Sequence, residues 1–129
     1  MFEIQDLNKI YSEIDLFNLF KIAKESALIG NDILIKNYNK IQKITSKGRK
    51  GDLVTNVDLE VEEKIKDYLT TKTPDVSIHA EESAKLIKTS ELTWCIDPLD
   101  GTTNYSHGYP FFGTSIGLVY KNNPILGAI

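Results

Sequence analysis

Trp94-Cys95-Ile96-Asp97-Pro98-Leu99-Asp100-Gly101-Thr102-Thr103-Asn104, continued by Tyr105-Ser106-His107-Gly108-Tyr109-Pro110, is the stretch whose reading decides the rest. The apolar run Trp94 to Ile96 predicts a short buried strand that delivers two carboxylates at its C-terminal end. Pro98 has a fixed φ and biases Asp97 away from the α region, so the chain is expected to stay extended there and then turn. Asp97 and Asp100 stand three apart across that turn, which can aim both at one point. Two carboxylates that close repel unless a cation lies between them. Hard oxygen ligands of this kind suit Mg²⁺ or Mn²⁺ better than zinc, which prefers His and Cys. Gly101-Thr102-Thr103 adds backbone N–H groups and two hydroxyls, and a helix starting there would make an anion site beside the cations. On its own, Asp-Pro-Leu-Asp is more often turn punctuation than a metal site.

Composition bounds the possibilities. A chain of 129 residues, 41% hydrophobic and 26% charged, has room for one domain with a real core. A net charge of −3 argues against a nucleic-acid or anionic-membrane partner held by bulk electrostatics. Cys95 is the only cysteine, so an intrachain disulfide is impossible and a reducing cytoplasm is the expected setting. The first residues, Met1-Phe2-Glu3-Ile4-Gln5-Asp6, lack a basic region followed by an apolar run, which argues against a signal peptide. No apolar stretch approaches the length of a membrane span.

Working outward, Ser12 to about Tyr38 reads as a long amphipathic helix, with Ser12 and Asp15 in a capping-box pattern. Ile14, Phe17, Phe20, Ala23 or Lys24, Ala27 and Leu34 recur near helical spacing and predict its apolar stripe. Gly30-Asn31 marks either a weak point or a close contact of that helix. Lys43 to Lys50 reads as a basic, solvated loop, the alternative being a loop that attracts phosphate. Thr55 and Asp58 again fit a capping box, opening a helix that buries Val57, Val61, Ile65, Tyr68 and Leu69, with Pro74 beyond its end. Asp58 is therefore either a cap on the first helical turn or a carboxylate held there for catalysis.

Val76 to Ala80 reads as a short strand ending at Glu81-Glu82. His79 and His107 have no partner at ligand spacing and read as structural. Phe111 to Tyr120 reads as a long strand, Lys121 to Pro124 as a turn, and Ile125 to Ile129 as a returning strand. The chain stops inside that second arm, so the expectation is a cut chain.

The eleven residues from Trp94 to Asn104 closely resemble the signature of the inositol monophosphatase family, the Mg²⁺-dependent, lithium-sensitive phosphatases. Asp52-Leu53-Val54-Thr55 with Asp58 is similar to that family's second motif. Ala80-Glu81-Glu82 stands where its third motif, Gly-Glu-Glu, is placed, and the alanine would be strained if that backbone needed positive φ. The resemblance implies an α+β helix/sheet sandwich with a mainly antiparallel sheet, of which residues 1–129 would be the N-terminal part of a single domain. It also implies a missing C-terminal half carrying a Trp-Asp-x-Ala-Ala-Gly-type segment.

The site implied by that likeness is specific. Glu81, Asp97 and the Leu99 carbonyl would hold one Mg²⁺, and Asp97 with Asp100 a second, short of one aspartate from the missing half. Glu82 would support Glu81. Asp58 and the Thr102 hydroxyl would position and activate water, while Gly101, Thr102 and Thr103 would receive the phosphate. Lys47 matches a family lysine near the metals. The implied reaction is hydrolysis of a small polyol phosphate such as inositol 1-phosphate, with histidinol phosphate, nucleotide bisphosphate and sugar bisphosphate as alternatives. A truncated, non-catalytic metal-binding fragment is the competing class. The implied partners are a small phosphate ester and, in the full-length form, a second copy in a homodimer, with no nucleic acid or membrane.

Overall fold

The computed structural model describes residues 15–80, 85–86 and 91–129. Three helices and five strands are defined there: α1 (Leu16–Gln42), α2 (Lys47–Lys72), β1 (Ser77–Ala80), β2 (Lys85–Leu86), β3 (Leu92–Asp100), α3 (Thr102–His107), β4 (Gly113–Tyr120) and β5 (Asn123–Ala128).

Helix α1 starts at Leu16, later than the sequence pattern suggests, because Asp15 itself is the cap: its side chain accepts from the Asn18 N–H at 3.1 Å. Ser12 and Ile14 lie outside the described residues. The helix also runs past Tyr38 to Gln42, which carries Ile41 into the core. The buried stripe is Leu19, Ile22, Ala23, Ser26, Ala27, Gly30, Leu34 and Ile41. Phe17 and Phe20, expected on that stripe, are 80% and 46% exposed. Phe17 stands six residues before Ala23, roughly 120° around the helix, so the phase set by Ala23, Ala27 and Leu34 turns it to solvent.

Helix α2 replaces two expectations. Lys47 to Lys50 belong to its first turn rather than to a loop, and Thr55 lies inside it rather than at its start. The Thr55 hydroxyl donates back to the Gly51 carbonyl at 3.0 Å, the backward bond of a threonine in mid-helix. Gly48 and Gly51 each cost a helix about 1 kcal/mol relative to alanine. The seam of Val54, Val57, Val61, Ile65 and Leu69, all buried, offsets that cost. Tyr68, expected on the seam, is only partly buried and donates to the Glu25 carboxylate of α1. Asp58 is thus not a cap. It sits near the middle of a helix with its side chain in the interior.

The sheet order is β2-β1-β3-β4-β5, with β1 parallel to β3 and every other neighbouring pair antiparallel. Trp94, Ile96, Ile116, Leu118 and Ile78 join the buried stripes of α1 and α2 in one core. The Trp94 indole donates to the Thr73 hydroxyl at 2.9 Å, which ties β3 to the end of α2. The hairpin after β4 is tighter than expected. Lys121 and Asn122, with φ of 49° and 68°, make a two-residue turn, and Asn123-Pro124 already belongs to β5. Pro124 is tolerated because β5 ends the strand order, where one side of a strand has no ladder to serve.

Gly30 resolves as a close contact. A Cβ there would lie 2.7 Å from Thr114 Cγ2 and 2.8 Å from its Cβ, so α1 reaches β4 only because residue 30 has no side chain. Next to it, Asn31 Oδ1 accepts from the Thr114 N–H at 2.9 Å. Gly30→Ala is expected to destabilise the fold by about 1–3 kcal/mol through this overlap. In urea unfolding the cost should shrink when Thr114 is also alanine. Equal cost in both backgrounds would show that the overlap is not its cause.

Candidate active site

The two acids of the central motif are brought together by a β-bulge, not by a turn. In the ladder between β3 and β4, Asp97 faces Ser115 and Asp100 faces Gly113, with a register shift between them. Three residues of β3 are therefore spanned by two of β4. Directly opposed residues share a face of the sheet, and Ser115 and Gly113, two apart, share one face. Asp97 and Asp100 therefore lie on the same face, although a regular strand would put positions three apart on opposite faces. The extra residue falls at the buried Pro98-Leu99 pair. Thr114, on the opposite face of β4, fixes that bulge by donating its hydroxyl to the Pro98 carbonyl at 2.9 Å.

Directly after the bulge the chain turns into α3. Gly101 is its N-cap, in the left-handed region at φ 86°. A Cβ at Gly101 would come within 2.7 Å of the Phe111 carbonyl oxygen, which also accepts from the Asn104 side-chain amide at 2.9 Å. Thr102 donates its hydroxyl to the Leu99 carbonyl at 3.1 Å. A carbonyl has two lone pairs, so the Leu99 oxygen keeps one for a cation.

Tyr105 seats α3 in the core. Its ring is fully buried and meets Phe112 edge-on at 4.7 Å and Tyr38 at 5.7 Å, and its hydroxyl donates to the Leu34 carbonyl at 2.8 Å. The Gln42 amide in turn donates to the Tyr105 carbonyl at 2.6 Å. Burial pushes the Tyr105 hydroxyl up to about 12, with the Asp58 charge the next cause and Tyr38 the third. Asp58, from the middle of α2, is therefore felt at the helix that begins with Gly101-Thr102.

The donor set suits a hard cation: two carboxylates and one carbonyl, all oxygen, at the end of one strand. Asp97 Oδ1 is buried and accepts no hydrogen bond, although Asp97 is otherwise engaged. Among the described residues no three His, Cys, Asp or Glu side chains converge as a metal cluster. Glu81 and its neighbour Glu82 lie outside the described residues. Ala80 sits fully buried at the end of β1 and is not among the positive-φ residues, so alanine there carries no backbone strain. His79 and His107 are exposed, on β1 and at the end of α3. Burial pushes the Cys95 thiol up, away from a reactive thiolate.

Two features escape a reading of the sequence. Glu62 is 3% exposed and pairs with Lys66 at 2.6 Å. Its place four residues after Asp58, on the same helix face, was the available signal. Thr114 reads as an ordinary strand residue, and nothing local announces its bond to Pro98.

The sequence profile of the inositol monophosphatase family matches residues 15–129. The chain is 40% identical over 121 residues to an inositol-1-monophosphatase of Synechocystis, an alignment covering 93% of this chain and 42% of the relative. It is 42% identical over 117 residues to a fructose-1,6-bisphosphatase/inositol-1-monophosphatase of Aquifex aeolicus, covering 89% and 44%. Among solved structures, an inositol monophosphatase from Anabaena superposes with a TM-score of 0.69 at 39% identity, covering 87% of this chain and 39% of that one. A helix-and-sheet phosphatase fold with acids at a bulged strand end is the class defined here, and the chain belongs to the inositol monophosphatase family. It spans about two fifths of the length of these relatives.

Two outcomes follow from the geometry. Gly101→Ala should cost at least about 1–2 kcal/mol for the left-handed conformation, before the clash with Phe111 is counted. Urea unfolding checks it, and Gly101→Asn should be milder than Gly101→Ala in φ cost. The second concerns alkali. Tyr105 and Tyr68 hold their protons up to about 12 in the fold, against an ordinary value of 10.0. The unfolded chain releases those protons first, so the stability these two tyrosines contribute should be complete below pH 10 and fall between pH 10 and 12. Tyrosinate absorbance followed together with circular dichroism would reveal it, and Tyr105→Phe should flatten the fall.

Proposed function

We propose that the protein containing this chain hydrolyses a small phosphate monoester by attack of water, with Mg²⁺ as cofactor. The carrying observation is the bulge that sets Asp97 and Asp100 on one face of β3, next to the Leu99 carbonyl and the Gly101 cap. Asp97, the Leu99 carbonyl and Glu81 are the proposed ligands of one Mg²⁺, and Asp97 with Asp100 those of another. When bound, Mg²⁺ supplies positive charge that acidifies water and neutralises the phosphate oxygens. The protein's own groups do the rest. Backbone N–H groups of Gly101, Thr102 and Thr103 receive the phosphate, and Thr102 and Asp58 orient the water. Asp58 is suited to that task because a buried residue in mid-helix is held more rigidly than one in a loop.

The substrate proposed is a polyol phosphate such as inositol 1-phosphate, in keeping with the names of the relatives. A sugar bisphosphate is the second reading, favoured by the name of the Aquifex relative. A homodimer and a cytoplasmic setting are proposed with it, the latter on the single cysteine. No described helix is long and apolar enough to cross a membrane.

In the enzyme at the length of its relatives, Asp97→Asn or Asp100→Asn is expected to abolish Mg²⁺-stimulated release of phosphate from inositol 1-phosphate while leaving the fold intact. Mg²⁺ stimulation surviving in both variants would reject the site. Asp58→Asn is expected to lower kcat by about 10² or more with KM little changed. Near-normal kcat would remove Asp58 from the chemistry. An assay of the 129-residue chain alone tests the competing reading of a metal-binding piece without turnover.

A further inference from the structure

We infer that the cleft between the start of α2 and the end of α3 is a binding site for a tetrahedral oxyanion; none of the proposed metal ligands lines it, and only its use by a substrate's second phosphate rests on the reading above. It is a cleft of ≈500 Å³ lined by Thr45, Lys47, Lys50, Gly51, Ser106 and His107. Three of these residues are basic and none is acidic. The chain as a whole has the opposite balance, with 18 acids to 15 Lys and Arg. Among the described residues neither Lys47 nor Lys50 has an ion pair with a carboxylate. Concentrated, uncompensated positive charge in a concave wall is an attractive place for an anion.

The two walls contribute differently. On the α3 side, His107 Nδ1 lies 2.8 Å from the Thr103 carbonyl, which can only accept, so that nitrogen carries the proton. This fixes the ring and leaves the Nε2 lone pair to accept the P–OH proton of hydrogen phosphate. Ser106 is similarly held, its hydroxyl donating to the same carbonyl at 3.0 Å. On the α2 side, the cap residue Ser46 makes no side-chain capping bond, so the first N–H groups of the helix add donors to the two ammonium groups. Gly51 has open space where a Cβ would stand, which keeps the floor clear. Donors on one wall and an imidazole acceptor on the other match hydrogen phosphate, which carries both acceptor oxygens and a P–OH donor.

Phosphate chemistry has two sources here: free inorganic phosphate, or the remote phosphate of a bisphosphorylated sugar. The spacing admits either, since Thr102 and His107 are five residues apart on one helix, roughly 7.5 Å along its axis. Titration of the chain with inorganic phosphate in the absence of any divalent cation removes the metal sites, and the Lys50 and His107 variants below tell this cleft from the Gly101–Thr103 N–H groups. Failure of the cleft or of the metal reading therefore leaves the other standing. Amide and His107 ring resonances should shift saturably, with a dissociation constant of about 1 mM or tighter. Lys50→Glu and, from the opposite wall, His107→Ala should each weaken binding about 10-fold or more. Both positions are at the surface, and circular dichroism verifies that each variant is folded. Lack of saturable binding, or binding unchanged in both variants, would overturn the site. Within a positive result, displacement by a sugar bisphosphate but not by the monophosphate assigns the source to the remote phosphate of a substrate. Displacement by neither assigns it to free phosphate.

Discussion

The structure depends on one close approach, that of α1 to the start of β4 at Gly30. With no side chain there, the helix backbone comes down onto Thr114, and the threonine's groups are used in two directions. Its N–H goes to Asn31 on the helix, and its hydroxyl goes to the Pro98 carbonyl on the neighbouring strand. Thr114 is completely buried, so each of these bonds replaces a water that cannot reach it. Pro98 belongs to the extra residue of the bulge, where the ladder is interrupted and a carbonyl would otherwise go unserved. A helix–strand contact on the core face thus stabilises the irregularity that turns Asp97 and Asp100 to a common face. Packing and site geometry are one constraint here: a methyl group added at Gly30 is felt, through two hydrogen bonds, at the acids.

The elements carried by apolar periodicity were legible in the sequence, and the irregular ones were not. The seam Val57, Val61, Ile65 and Leu69 and the hairpin around Lys121-Asn122 follow from side-chain patterns that any backbone of that type must satisfy. The beginning of α2 did not, because Gly48, Gly51 and a cluster of charges look like a loop when packing of the rest of the helix is unknown. Phe17 and Phe20 misled for the reverse reason: large apolar side chains near the right spacing imply burial, yet the alanines, with Leu34, set the phase. At the site, the residues of the Trp94–Asn104 motif could be picked out, but not how they are arranged. A bulge leaves no local signature beyond Pro98, and its partner Thr114 comes 16 residues later. The capping alternative for Asp58 fell only when α2 was seen to pass straight through Thr55.

That passage changes what Asp58 costs and what it can do. An acid in a first turn is solvated and stabilised by the helix dipole, whereas one in mid-helix facing the interior has neither advantage. Asp58 and Glu62 are 5% and 3% exposed, one turn apart, and burying carboxylates in that setting costs several kcal/mol unless cations and donors answer them. For Glu62 the answer is Lys66 at 2.6 Å. The Asp58 charge in turn works against the ionisation of Tyr105, whose hydroxyl points its proton to the Leu34 carbonyl. A fold kept for stability alone would have apolar residues at both positions, extending the seam of Val57, Val61 and Ile65. Two acids on the inward face of an otherwise valine-rich helix are therefore the feature of α2 that apolar packing does not account for. The same burial that makes these carboxylates costly also keeps them from relaxing into water, so the fold fixes their orientation.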